Sequence, residues 1–131
     1  MPADDTALRV VERLFQAMEG GPEGEEPMME LFSDGAVFIE TFTGRRREHV
    51  GREAIRRTYR ELFSNPPPPD MKLQLHRVDR DGERVRAEWS CMSSSYLEPR
   101  RGFDLFTVRN GEIEKLEVVI TQFEKRRGGS T

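Results

Sequence analysis

The chain has one cysteine, Cys91, in 131 residues. No internal disulfide can staple it, and a reducing compartment is the simplest setting. Long apolar runs are equally scarce: hydrophobic residues are 35% of the chain, and no stretch approaches the ~20 residues that cross a bilayer. The opening MPADDTALRV lacks a basic segment followed by an apolar run, so a cytoplasmic protein without a membrane partner is expected. Positive charge is not in excess, since 21 Lys and Arg face 24 Asp and Glu for a net charge of −3. Nucleic acid is therefore not an expected partner. The two histidines, His49 and His76, have no second His, Cys or carboxylate at ligand spacing. No metal and no cofactor are expected, and no histidine stands beside Cys91 to activate its thiol.

Charge of both signs is plentiful, at 34% of residues, so the apolar positions are few and their spacing is informative. The length suits one domain over residues 1–131, with an ordered core over about 6–124 and a disordered tail over 125–131. From Thr6 to Met18, residues Leu8, Val11, Leu14, Phe15 and Met18 recur at three and four, which predicts an amphipathic helix capped by Asp4, Asp5 or Thr6. Gly20, Gly21 and Pro22 stop it. A short second helix is predicted over Pro27 to Phe32, with Met28, Leu31 and Phe32 inward, ended by a turn at Ser33–Gly35. The third, Gly51 to Phe63, carries Ile55, Tyr59, Leu62 and Phe63 on one stripe until Pro66–Pro69 impose a stiff polyproline connection.

Strand signals are of two kinds. Ala36 to Thr43 is a β-rich run bounded by turn residues, followed by a basic hairpin at Gly44. From Met71 onward the period drops to two. Met71–Asp79, Arg84–Ser94, Arg101–Arg109 and Glu112–Phe123 then follow one another, with Asn110-Gly111 the strongest hairpin signal. Helices first and an antiparallel meander last specify an α+β domain whose helices cover one face of the sheet.

That order resembles the nuclear-transport-factor-2-like superfamily, and specific strings agree. Leu31-Phe-Ser-Asp-Gly-Ala-Val-Phe38 is similar to the helix-to-strand entry of SnoaL-like proteins, and Gly51-Arg-Glu-Ala-Ile55 to the start of their third helix. Gly102-Phe-Asp-Leu-Phe106 and Asn110-Gly-Glu-Ile113 resemble their last hairpin. The resemblance spans about Leu8 to Phe123 and implies a cone-shaped, curved, antiparallel (mixed) sheet wrapped around three N-terminal helices, enclosing a pocket. Spacing is nearest to the ketosteroid isomerase type. That implies a base at Glu40 and, at Asp104, an acid that donates to a developing oxyanion. The tyrosine on that family's first helix has no counterpart in Glu12-Arg-Leu-Phe15, while Tyr59 matches a supporting tyrosine. The limonene epoxide hydrolase type carries an Arg and two Asp where this chain has Trp89, Cys91 and Val118, so its chemistry is not expected.

Read from the residues alone, two carboxyls facing one apolar cavity can divide acid and base roles, because desolvation raises one while polar surroundings keep the other ionised. Strand parity puts residues 102, 104, 106 and 108 on one face and 103, 105 and 107 on the other, and both faces are apolar enough to be buried. Asp104 therefore either faces a pocket or points outward to a dimer surface or an arginine. Glu40 shares a face with Phe38, as a pocket carboxylate or as a salt-bridged or solvated strand end. Trp89 is either core or ligand-stacking, and the Tyr59 hydroxyl serves a ligand or a structural hydrogen bond. Phe15, Phe38, Trp89, Phe106, Leu116, Val118 and Ile120 are the expected walls around a small apolar ligand. The basic run Arg45–Arg47 and the pair Arg100-Arg101 are either solvated turn charges or attractors at a pocket mouth. Phe103, Leu105 and Val119 on the outer sheet face predict a homodimer. The functions these expectations allow are a cofactor-independent isomerase or cyclase acting on an apolar carbonyl compound, or a non-catalytic binding, dimerisation or accessory domain.

Overall fold

The structure, a computed structural model, describes residues 6–64 and 70–127. The predicted Asp4 and Asp5 caps, the Pro66–Pro69 connection, the side chains of Leu62 and Phe63 and the last four residues lie outside the described set. Helix α1, Thr6–Glu19, buries Ala7, Val10, Val11, Leu14 and Phe15, with Leu8 and Met18 partly buried at the edges of the stripe. A 3-10 turn, Gly21–Gly24, leads straight into α2, Glu25–Glu30. This helix begins two residues earlier than the sequence suggests, because Pro27 fits its first turn, where an N–H has no partner to lose. Glu25 then receives Arg60 at 2.7 Å and Arg56 at 3.0 Å from α3, Arg52–Ser64, tying the two helices together.

Strand β1 runs Phe32–Glu40 rather than starting at Ala36. The expected turn at Ser33–Gly35 is absorbed as an irregularity where the register against β7, Glu112–Gln122, shifts between Phe32 and Val37. The Ile113 amide donates to the Leu31 carbonyl at 2.7 Å, so the chain is already held beside β7 before Phe32. Phe42 falls beyond the strand, in the turn to β2, Arg47–Val50. The strands β3, Lys72–Asp81, β4, Arg84–Met92, and β6, Arg100–Arg109, complete the sheet in the order β2-β1-β7-β6-β4-β3. Only β1 and β7 are parallel, so the sheet is mixed. Between β6 and β7, Asn110 and Gly111 take φ of 54° and 79°, the two left-handed positions that a tight hairpin with native twist requires.

The remaining strands are β5, Tyr96–Glu98, and β8, Lys125–Arg126, which pair antiparallel as a separate ribbon. This corrects the expectation for 125–127: the Arg127 amide donates to Ser95 O at 2.8 Å and its Nε to Ser94 O at 3.1 Å, so that segment is docked. The segment between β4 and β5, Ser93–Ser95, is itself pinned, since the Ser93 hydroxyl donates to Asp70 Oδ1 at 2.6 Å and the Ser94 amide to Oδ2 at 3.0 Å.

Three helices lie against the concave face of a curved six-stranded sheet, the α+β architecture expected. Along β4 the inward residues Val85, Ala87, Trp89 and Cys91 are all buried, and along β6 so are Gly102, Asp104 and Phe106. On the convex side Phe103 and Leu105 are half-buried, with the Arg86 guanidinium 3.6 Å above the Phe103 ring. Among the described residues no helix is long and apolar enough to cross a membrane.

Candidate functional site

Between the helices and the concave face lies a cavity of about 810 Å³, within the usual range for small-molecule sites. Phe15 and Met18 of α1 form one side, Phe38, Phe42 and Tyr59 another, and Trp89, Cys91, Leu116 and Val118 the sheet wall. Met71 and Leu73 close the far edge.

Asp104 is the carboxyl set into this wall. Strand alternation turns it inward with Gly102 and Phe106, and it is 7% exposed. The Trp89 indole N–H donates to its Oδ1 at 2.9 Å, while Oδ2 has no donor among the described residues. Burial pushes this carboxyl up to about 7, against the opposing pull of the indole hydrogen bond. Tyr59 is 3% exposed and stacks on Phe38, with ring centroids 5.5 Å apart. Burial, and then the nearby Asp104 charge, hold its phenol well above the usual range, so it stays protonated. Burial likewise pushes the Cys91 thiol up to about 11, which leaves it a wall residue rather than a nucleophile.

The reach of Trp89 depends on a missing side chain. Gly102 is its register partner, and a Cβ there would collide with the Val119 carbonyl oxygen and come 2.7 Å from Trp89 Cζ2. We therefore expect Gly102→Ala to lose about 3 kcal/mol in urea unfolding, with a shift in Trp89 emission as the indole is displaced from Asp104. An unchanged midpoint and spectrum would mean that β6 can step aside.

Glu40 departs from its expected role. It shares the concave side with Phe38 but does not line the cavity, and it is fully buried. Its Oε2 accepts Arg47 Nε at 2.8 Å and Nη2 at 2.7 Å, with His49 Nε2 at 2.9 Å, and its Oε1 accepts the Phe42 amide at 2.8 Å. A carboxylate can only accept, so His49 carries its hydrogen on Nε2. An oxygen already crowded by donors has no lone pair aimed at a guest, and Glu40 instead fastens the β1–β2 hairpin.

Two expected wall residues also sit elsewhere. Phe106 is sealed in the core and Ile120 is partly buried against it, and neither lines the cavity. The rim contains groups that sequence reading passed over: Lys72, Tyr96 and Arg126, alongside Arg100. Arg126 arrives on β8, opposite Tyr96, and a two-residue strand has no periodicity by which to be found. Among the described residues no three His, Cys, Asp or Glu side chains gather as a metal site.

Comparison with known proteins agrees with this architecture. No curated protein matches the chain. Among solved structures it is similar to a putative SnoaL-like polyketide cyclase from Jannaschia sp. CCS1, with a TM-score of 0.75 at 16% identity over 92% of this chain and 89% of that one. An NTF2-like protein of unknown function from Mesorhizobium loti gives 0.73 at 18% identity over 93% and 98%. A putative ketosteroid isomerase from Kribbella flavida gives 0.70 at 17% identity over 95% and 84%. At such identities these likenesses concern the fold, whereas the sequence profile described as a SnoaL-like domain matches residues 11–116 directly, and the chain accordingly belongs to the SnoaL-like domain family.

Proposed function

We propose that the cavity binds a small, largely apolar carbonyl compound and that Asp104 moves a proton on it, in an isomerisation or ring closure that side chains alone can carry. What supports this reading most is one carboxyl in an apolar wall whose proton affinity is raised to about 7. Near neutral pH such a group exists both with and without its proton, which suits a general base that must hand the proton back. Asp104 as carboxylate would remove a proton beside the carbonyl through its undonated Oδ2. The Tyr59 phenol, kept neutral by its surroundings, would hydrogen-bond the developing enolate oxygen. Asp104, now protonated, would return the proton to a different carbon or to oxygen. The chemistry named for the Kribbella putative ketosteroid isomerase and the Jannaschia putative SnoaL-like polyketide cyclase, isomerisation and cyclisation, is of the same class.

Turnover of enolisable ketones by wild type and by Asp104→Asn tests it. A drop of ~10² or more is expected, with Trp89, the chain's one tryptophan, still quenched by the bound ketone. Equal rates would end the catalytic reading. Glu40→Gln, outside the cavity, should leave the rate per folded molecule unchanged.

A second reading, a non-catalytic binding domain of the same fold, is favoured by Glu40 being occupied by Arg47 and His49. It predicts ligand quenching of Trp89 with no turnover in any variant. Under either reading the half-buried Phe103, Leu105 and Val119 support a homodimer through the convex face, and a monomer by sedimentation at micromolar concentration would remove that part.

A further inference from the structure

We infer that the ligand carries an oxyanion, a carboxylate or its equivalent, held at the cavity mouth by Lys72 and Arg126 while its apolar body fills the interior. This rests on the cavity being a ligand site and adds the class of molecule that it takes. The chain as a whole is acidic, at −3, yet three cations, Lys72, Arg100 and Arg126, line this one cavity. They come from three separate strands, β3, β6 and β8, so a run of basic sequence does not explain their meeting.

Their partners distinguish them. Arg100 Nε lies 2.8 Å from Glu124 Oε1 and is largely spent on it. Burial alone would raise the Glu124 carboxyl, but the Arg100 hydrogen bond and the charges of both arginines hold it below the usual range. Arg126 reaches the other Glu124 oxygen only at 3.6 Å, with its side chain 57% exposed and its guanidinium 5.7 Å from the Tyr96 ring. Lys72 has no ionic partner among the described residues. Set against these is Glu19 at the end of α1, the one other acid on the lining besides Asp104. Lys72 and Arg126 thus remain two cations on the lining with one acid, Glu19, to set against them, Arg126 being carried there by the β5–β8 ribbon.

The two ends of the cavity differ in kind. The floor is apolar, with a carboxyl whose charged form burial disfavours, and an anion inserted there would meet Asp104 in a desolvated space. At the mouth the same anion would meet guanidinium and ammonium donors and keep part of its hydration. An amphipathic acid therefore has one favourable orientation: charged group outward, reacting or hydrogen-bonding carbon frame inward beside Asp104 and Tyr59.

The test uses two probes of one apolar frame, anilinonaphthalene sulfonate and neutral N-phenylnaphthylamine, each read by quenching of Trp89. The sulfonate should bind about tenfold more tightly, and added salt should erode that advantage while leaving the neutral probe unaffected. Arg126→Gln and Lys72→Gln, both at exposed positions, should each shrink the difference, and Arg126→Lys should retain most of it. Equal affinities for the two probes, or a difference that survives Arg126→Gln combined with Lys72→Gln, would overturn the oxyanion assignment and leave the apolar site standing. If neither probe quenches Trp89, the ligand-site reading itself fails.

Discussion

Wild type should lose roughly 4 kcal/mol of stability relative to Asp104→Asn as pH rises from about 4 to about 7. The folded chain holds the Asp104 proton more tightly than the unfolded chain does, the affinity rising from 3.8 to about 7. Stability from this group is therefore complete below the unfolded value, declines through the interval between the two, and levels off above the folded value. Asparagine matches the shape, still accepts from the Trp89 indole and does not titrate. The absolute offset between the variants includes the burial of an amide, so the informative quantity is the difference in slope. All other groups are common to both chains and cancel. Of the groups near Asp104, Tyr59 and Cys91 stay neutral throughout this range. Chemical denaturation at closely spaced pH values measures it, with Trp89 as the signal. Two parallel stability curves would mean that water reaches the carboxyl and that it behaves as an ordinary surface acid.

Arg47→Met should remove about 3 kcal/mol, and adding Glu40→Leu should return most of it. Arg47 supplies two of the three side-chain donors to Glu40 Oε2. Without it a fully buried carboxylate keeps only His49 and the Phe42 amide. Uncompensated burial of a charge is what destabilises, so deleting that charge as well should be milder than deleting its partner alone. A double-mutant cycle by urea unfolding gives the coupling. Additive losses would show that Glu40 relaxes to solvent and that the hairpin stands without its anchor.

The larger elements were legible because their periodicity reports burial directly. The three helices and the long antiparallel strands lie within a few residues of where alternating and 3.6-residue spacings place them, and Asn110-Gly111 turns as its residue types require. The start of β1 was not legible, since Ser33-Asp34-Gly35 reads locally as a turn and only the distant β7 draws it into the sheet. For Asp104 the pattern left two faces open, and the bulky Trp89 over Gly102 shows which one is inward. For Glu40 the pocket and salt-bridged alternatives both stood open, although a signal to choose between them existed. A hairpin centred at Thr43-Gly44 puts Arg47 opposite Glu40 and His49 opposite Phe38, so a basic partner for the acid follows from counting. Of the mouth only Arg100 was in view from sequence, because Arg126 and Tyr96 meet through strands of two and three residues, whose pairing depends on the whole cone being built.

The sheet order has a consequence for how the chain is made. β7, the last long strand to be synthesised, occupies the interior of the sheet, between β1 and β6. Until it emerges from the ribosome, the β1–β2 hairpin has no neighbour on its inner edge and the helices have only half a surface to settle on. Folding of this chain is thus expected to wait for β7 and to be paced by a parallel pairing across some eighty residues, from Phe38 to Leu116. The nascent N-terminal half would meanwhile present an unpaired β-edge to chaperones.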